Sequence, residues 1–376
     1  MRSVDQHAME PETTDAEGPS GILTIDLGAL ARNYDALSAR LAPARAAAVV
    51  KADAYGLGAA RVAAALHARG CRDFFVALFV EAVRLKPALP ADIRLFVLNG
   101  LQPGNENRAA DMGIIPVLNS LEQAERWSET AAARGKRLPA LLQFDTGMSR
   151  LGVPPEERAA VAALLKTGHL DILYAMSHLA CADEPESAQN ADQLAEMRRA
   201  AAEFPGIDLC FSNSGGIFLG KDYHGVLARP GIALYGGAPT GGVANPMEPV
   251  VRLDVAVVQT RTVPAGARVG YSATHVTTAE TRLATIAAGY ADGLPRSLSS
   301  RGAVFYDGVR LPIVGRVSMD SIIVDITALP EGTLKLGSMV EVIGPNQPLE
   351  DIARDAGTIA YEILTSLGHR YLRRYR

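Results

Sequence analysis

The residue types able to do chemistry stand at the ends of short apolar runs. Ala47-Ala48-Val49-Val50 ends in Lys51, followed by Ala-Asp-Ala-Tyr-Gly with Tyr55. An amine desolvated by apolar neighbours binds its proton less tightly and becomes available as a nucleophile or base. Position alone favours a plainer reading, a lysine whose stem lies on apolar surface while its charge reaches water. Other run ends are also polar. One leads into Asp145-Thr146-Gly147-Met148-Ser149-Arg150, a second into Ser177-His178 and a third into Ser212-Asn213-Ser214-Gly215-Gly216. A fourth ends Ala228-Arg229-Pro230-Gly231-Ile232. The glycine-containing loops, with a serine hydroxyl, could present N–H groups to a phosphate. Read alone, Gly215-Gly216 is equally compatible with a turn. Lys51, Arg150, His178, Ser214 and Arg229 on one rim are hard to explain as solvated loops.

The elements that must position these residues follow from eight apolar runs. They are 47–51, 74–78, 94–98, 114–118, 140–144, 172–177, 208–212 and 226–229. The runs are continuous rather than alternating, as for strands buried on both faces. Helix-compatible stretches separate them, 121–134 and 189–203 being the clearest, and a further helix is expected at 27–41 after a strand at 22–26. Strand–helix alternation implies a parallel sheet, and eight units favour a closed (β/α)8 TIM barrel, whose functional groups sit at the strand C-termini. After Gly236 the texture changes. Residues 237–249 are rich in Gly and Pro and read as a linker. Strand-like runs follow at 251–263, 281–287, 303–306, 309–314, 322–326 and 339–343, with Asp307-Gly308 as a hairpin signal. The expected organisation is a disordered tail at 1–20, an α/β barrel domain at 21–245 and a mainly β domain at 246–376.

Composition narrows the class. The chain has 376 residues, 48% of them hydrophobic, with 37 Lys+Arg against 41 Asp+Glu. That excludes a largely disordered chain and one held on nucleic acid by bulk positive charge. The first 20 residues are polar and acidic, unlike a signal peptide, and no run of about 20 apolar residues could span a bilayer. Cys71, Cys181 and Cys210 form neither a metal pair nor a C-x-x-C. No metal site is expected, and a reducing cytoplasm is the simplest compartment.

These motifs together make the sequence similar to alanine racemase, a family of barrel-type enzymes dependent on pyridoxal 5′-phosphate (PLP). A-V-V-K-A-D-A-Y-G resembles the family's PLP-lysine signature. D-T-G-M-S-R-L-G, S-H-L-A-C-A-D-E, S-N-S-G-G, A-R-P-G-I-A-L-Y-G, G-Y-S-A-T, G-Y-A-D-G, G-R-V-S-M-D and Y-E-I-L-T-S support it, in matching order from about Ile22 to Arg376. The resemblance implies that Lys51 carries PLP as a Schiff base and acts as one base, and that Tyr271, from a partner subunit, acts as the other. It implies that Arg229 faces the pyridine nitrogen, and that Tyr55, Ser214, Gly231, Ile232 and Tyr361 surround the phosphate. His178 would pack near the ring and help hold Arg229. Arg150 and the backbone N–H of the partner subunit's Met319 would meet the substrate carboxylate.

Each implied role has a physical reason. Racemisation removes a proton from one face of a carbon and returns one on the other, which a base on each face performs without turning the substrate. PLP serves as the electron sink. A guanidinium at the ring nitrogen stays protonated itself and keeps that nitrogen largely unprotonated, so the sink is weakened and side reactions are fewer. Three departures from the family stand out. Leu57 replaces a histidine common after Tyr-Gly, Ser318 stands where some relatives have cysteine, and Gln143 stands where some carry a carbamylated lysine. Gln143 cannot supply the negative charge that such a lysine offers to Arg150.

The expected function is an isomerase converting L- to D-alanine, for cell-wall synthesis or for alanine catabolism. It would work as a homodimer with shared sites, without nucleic acid or membrane partners. A serine or broad-specificity racemase is the first alternative. Tyr271 and Tyr361 should crowd a larger side chain, but pockets discriminate by only about 1–3 kcal/mol per methylene. A PLP decarboxylase on the same barrel fits G-Y-S-A-T less well. A PLP carrier protein would lack the second domain.

Overall fold

A computed structural model describes residues 18–376. Most of the expected tail at 1–20 therefore lies outside the described residues. The chain divides into two compact units, one formed by Leu27–Val250 and the other by Val251–Arg376 together with the residues up to Asp26.

The Leu27–Val250 unit is the parallel barrel. Seven strands pair in sequence order, from Ala48–Val49 through Asp73–Val76, Arg94–Val97, Ile114–Leu118, Leu138–Gln143 and Leu170–Met176 to Leu209–Cys210. The eighth, Leu227–Ala228, closes the ring. It pairs in parallel with Arg45–Ala46, and Val49 N–H donates to Pro230 O at 3.0 Å. On its other side Arg229 N–H donates to Ser212 O at 2.8 Å. The continuous runs are buried as expected; every residue of Ile114–Leu118 is in the interior. Phe75 and Phe96 stack there, ring centres 4.7 Å apart. The strand starts carry a charged cluster: buried Asp73 accepts from Arg45 (3.0 Å) and Arg94 (2.6 Å). Both arginines also donate to the Tyr174 hydroxyl.

Helix Leu27–Leu41 buries Leu30, Tyr34, Leu37 and Leu41 on one face at three- and four-residue spacing. The Gly/Pro-rich stretch expected as a linker is tied to this helix. Asn33 donates to Glu248 O (2.9 Å) and accepts from Glu248 N–H (2.8 Å), and Arg32 pairs with the Glu248 carboxylate.

The other unit is mainly β. Its sheet runs in the order Val309–Pro312, Ala303–Tyr306, Met339–Ile343, Val251–Val263, Gly21–Ile25, Leu372–Tyr375. Thr281–Ile286 pairs with the far half of Val251–Val263 and with Ile322–Asp325. Tyr306 pairs with Val309 across Asp307 (φ 47°) and Gly308 (φ 78°), the two positive values a tight hairpin requires. Two short helices, Leu349–Ala356 and Ala360–Ser366, complete the unit. The expected first strand is present, but not where the expected domain limits put it. Gly21–Ile25 pairs antiparallel with Val251–Val263 and parallel with Leu372–Tyr375, so residues 21–26 belong with the β unit and the barrel begins at Leu27. Local hydrophobicity cannot reveal a strand partner more than 200 positions away.

Candidate active site

Lys51 leaves the first barrel strand at its C-terminal end, as the sequence implied. The segment after it is a left-handed turn. Ala52, Asp53, Ala54 and Tyr55 have φ between 51° and 57°, with ψ between 36° and 51°. For L-residues this costs about 1–2 kcal/mol each, so neighbouring bonds must hold it. Asp53 Oδ1 accepts from Ala59 N–H (2.7 Å), Gly58 N–H donates to Asp53 O (2.9 Å) and Ala54 N–H donates to Val50 O (2.9 Å). Glu81 Oε1 accepts from Ala52 N–H (2.5 Å). The turn buries Tyr55 and brings its ring 4.7 Å from that of Tyr235, whose hydroxyl donates to Val49 O. Burial, then Arg150, lower the pKa of Lys51 below the ordinary lysine value; Glu81 acts in the opposite sense, and Arg229 lowers it further.

Beside this turn lies an anion cradle. Ser214 Oγ accepts from Gly231 N–H (2.9 Å) and Ala233 N–H (3.3 Å), pinning the two last barrel loops together. Gly231 lies against the Tyr55 hydroxyl so closely that any Cβ would collide with it. The backbone N–H groups of Ser214, Gly215 and Ile232 are in buried residues and make no hydrogen bond among the described residues. Buried N–H groups are rarely left unpaired, so three together fit a phosphate. Ser214, Ile232 and Tyr55, expected around a phosphate, lie close to one another at this end of the barrel. Gly231 contributes close approach, its own N–H being taken by Ser214.

Arg229 is buried, and its partners are neutral. It donates to Cys210 O, to Cys210 Sγ (3.2 Å) and to Ser177 O (2.6 Å), with no carboxylate partner among the described residues. His178 follows Ser177. Burial first, then Arg229, Arg150 and Lys51, push its imidazole down to about 3, so it is neutral near pH 7. Gln193 fixes its backbone by donating to His178 O (2.9 Å). Arg150 is exposed at the end of a loop nucleated by Asp145, whose Oδ1 accepts from the N–H groups of Gly147, Met148 and Ser149. Arg150 too has no carboxylate partner among the described residues. Gln143 ends its barrel strand with its side chain buried. Lys51, Arg150 and Arg229, with a neutral histidine, make a field suited to a phosphate and a carboxylate.

Tyr271, Met319 and Tyr361 lie in the β unit, and all three are exposed. Tyr271 stands in the loop joining Arg268–Val269 to His275–Val276, which pair antiparallel. Ser272 is left-handed there (φ 58°), and its Oγ accepts from Arg316 at 3.0 Å. Met319 O accepts from Ala291 N–H, while Met319 N–H has no hydrogen bond among the described residues, as a donor to a substrate carboxylate requires. Arg370 braces this loop through Asp320 (2.7 Å) and buried Asp292 (2.7 Å). Tyr361 lies in helix Ala360–Ser366. Sequence reading missed Glu81, Arg316 and Arg370. Each acts on backbone or another side chain from a different element, and only the glutamate three places after Leu78 leaves a local trace, as a helix-capping signal. No group of His, Cys, Asp and Glu suited to a metal occurs among the described residues.

Comparison with known proteins covers both units. A family model described as alanine racemase, N-terminal domain, matches residues 25–239, and one described as alanine racemase, C-terminal domain, matches 250–375. A catabolic alanine racemase from Rhizobium johnstonii is 69% identical over 96% of this chain and 97% of its own length. Another from Agrobacterium fabrum is 64% identical over 96% and 93%. Among solved structures, alanine racemase from Bartonella henselae, with covalently bound pyridoxal phosphate, superposes with a TM-score of 0.92 at 46% identity. That match covers 95% of this chain and 99% of the other.

Proposed function

The chain belongs to the alanine racemase family, PLP-dependent isomerases that interconvert L- and D-alanine, and from that premise we propose how its residues divide the work. Lys51 holds PLP covalently and serves as one base; Tyr271 of a second copy serves as the other. The observation that carries the assignment is the half-buried Lys51 amine, with a lowered pKa, beside three unpaired buried N–H groups. When bound, PLP supplies an electron sink for the pair left at the substrate α-carbon.

The chain's own groups do the rest. Ser214, Gly215 and Ile232 N–H groups bind the phosphate, and Tyr55 covers it from the Lys51 turn; the family pattern supports Tyr361 as a further phosphate residue. Arg229 meets the pyridine nitrogen. Its charge does not leave near neutral pH, so that nitrogen stays unprotonated and the sink weak. Neutral His178 packs beside Arg229 without adding another buried charge. Arg150 and the N–H of the partner subunit's Met319 hold the substrate carboxylate, which fixes the α-carbon between an amine and a phenol. With depressed proton affinity, Lys51 takes the α-proton from one face while the phenol of Tyr271 gives a proton to the opposite face, and the reverse reaction exchanges the two roles.

A site with one base from each chain requires a homodimer. The two nearly full-length relatives called catabolic support a role in alanine breakdown over cell-wall supply. Three free cysteines among the described residues, and no helix there long and apolar enough to cross a membrane, support a cytoplasmic enzyme. Loss of the α-proton signal of L-alanine in D2O, followed by NMR with a panel of alanine, serine and basic amino acids, tests the assignment. Exchange of serine as fast as alanine would replace it with a broader racemase.

A further inference from the structure

Glu81 has no part in the roles above, yet its contacts converge on the reactive turn. It lies in the first turn of helix Phe79–Leu85, just beyond the second barrel strand. Oε2 accepts from the backbone N–H groups of Ala77 and Leu78, both at 2.8 Å. Oε1 accepts from Ala52 N–H at 2.5 Å. A residue that only capped its own helix would need the Leu78 bond and nothing beyond its loop. The bond to Ala52 crosses from one βα loop to the next and meets the residue directly after Lys51. Ala52 is also the first left-handed residue of the turn, where the backbone most needs holding. Charge-assisted bonds from a carboxylate are about twice as strong as neutral ones, so one side chain fixes three N–H groups firmly.

Resting on the reading of Lys51 as the cofactor lysine, we propose that Glu81 is its positioning residue: by gripping Ala52 N–H from the neighbouring loop, it holds the left-handed turn and sets the direction in which Lys51 leaves the strand. Glu81 also adds a negative charge acting on Lys51, against the positive Arg150 and Arg229.

Two variants separate these effects in the PLP-loaded, full-length enzyme. Glu81→Gln keeps the shape and removes the charge. Glu81→Asp keeps the charge but is one methylene too short to span both loops. Both should lose about tenfold or more in kcat with KM changed less than about threefold, the mark of a misplaced reacting group. The pH midpoint of the cofactor's visible absorption should fall by about half a unit or more in the Gln variant and hold within about two tenths in the Asp variant. A helix cap alone would lower the melting temperature and leave kcat and the midpoint alone. Wild-type kcat and midpoint in both variants overturns the proposal, whatever the melting temperature. If the Gln variant does not fold, kcat of the Asp variant decides. Borohydride reduction and peptide mapping of the wild type check the premise separately. Reduced cofactor on another lysine defeats the reading of Lys51, whereas cofactor on Lys51 with indifferent Glu81 variants defeats only this inference.

Discussion

His178 is a neutral imidazole in the field of Lys51, Arg150 and Arg229, and keeping it neutral has a cost that depends on pH. Its pKa is pushed down to about 3 in the folded chain, against about 6.5 when unfolded. Below 6.5 the unfolded chain takes up a proton that the folded chain refuses. Stability is therefore full above that value, falls as pH drops toward 3 and levels off below it. His178→Asn should flatten the fall in melting temperature between pH 6.5 and 4. An unchanged slope would place the acid sensitivity elsewhere. At the same scale, Lys51→Ala should abolish both the yellow colour and turnover, and Tyr271→Phe should keep the colour and lose at least about 100-fold in kcat, the usual worth of a positioned base. Absorbance and a D-alanine assay read both. Gly231→Ala forces a methyl onto the Tyr55 hydroxyl, so PLP should dissociate at least about tenfold more readily, measured by equilibrium dialysis.

At the scale of elements, the left-handed turn at 52–55 is where sequence and structure part. Apolar runs marked all eight barrel strands, because a strand buried on both faces must be apolar throughout. Helix Leu27–Leu41 and strands Val251–Val263 and Met339–Ile343 were legible to the residue from periodicity and β-branching. The hairpin at Asp307-Gly308 was legible from two residues that tolerate positive φ. Nothing in Ala-Asp-Ala-Tyr announces positive φ four times over, since none of these is glycine. The turn exists because bonds from Asp53, Glu81 and the strand end impose it, and such bonds are visible only in three dimensions. In the candidate site, Lys51, Ser214 and Arg229 were likewise legible as polar endings to apolar runs. The roles proposed for Tyr271 and Met319 rest on family resemblance, for the β unit offers no rule about where function sits. Adding a branched side chain to buried, left-handed Ala54 makes the strain measurable. Ala54→Val should destabilise the chain by about 1–3 kcal/mol in urea unfolding and weaken PLP retention.

For the whole molecule, the proposal that the two bases come from different chains gives a complementation test. Lys51→Ala and Tyr271→Phe chains should each lose activity as homodimers. Coexpressed, half the dimers are mixed, and each mixed dimer has one intact site, so activity should return to about a quarter of wild type. Sites built within single chains would recover nothing, and activity of the purified mixed species reads the difference directly.

The pairing of Gly21–Ile25 with Val251–Val263 and Leu372–Tyr375 sets an order of events during translation. The ribosome delivers this segment before the barrel, and both of its neighbours after it. The whole intervening barrel emerges while the early strand has no sheet to join, and its hydrogen-bonding edges must wait in solvent. Leu27–Val250 can thus collapse around its own core before the other unit closes. A nascent chain stalled with Val250 just emerged would carry a finished barrel, an orphaned opening strand and no completed second unit.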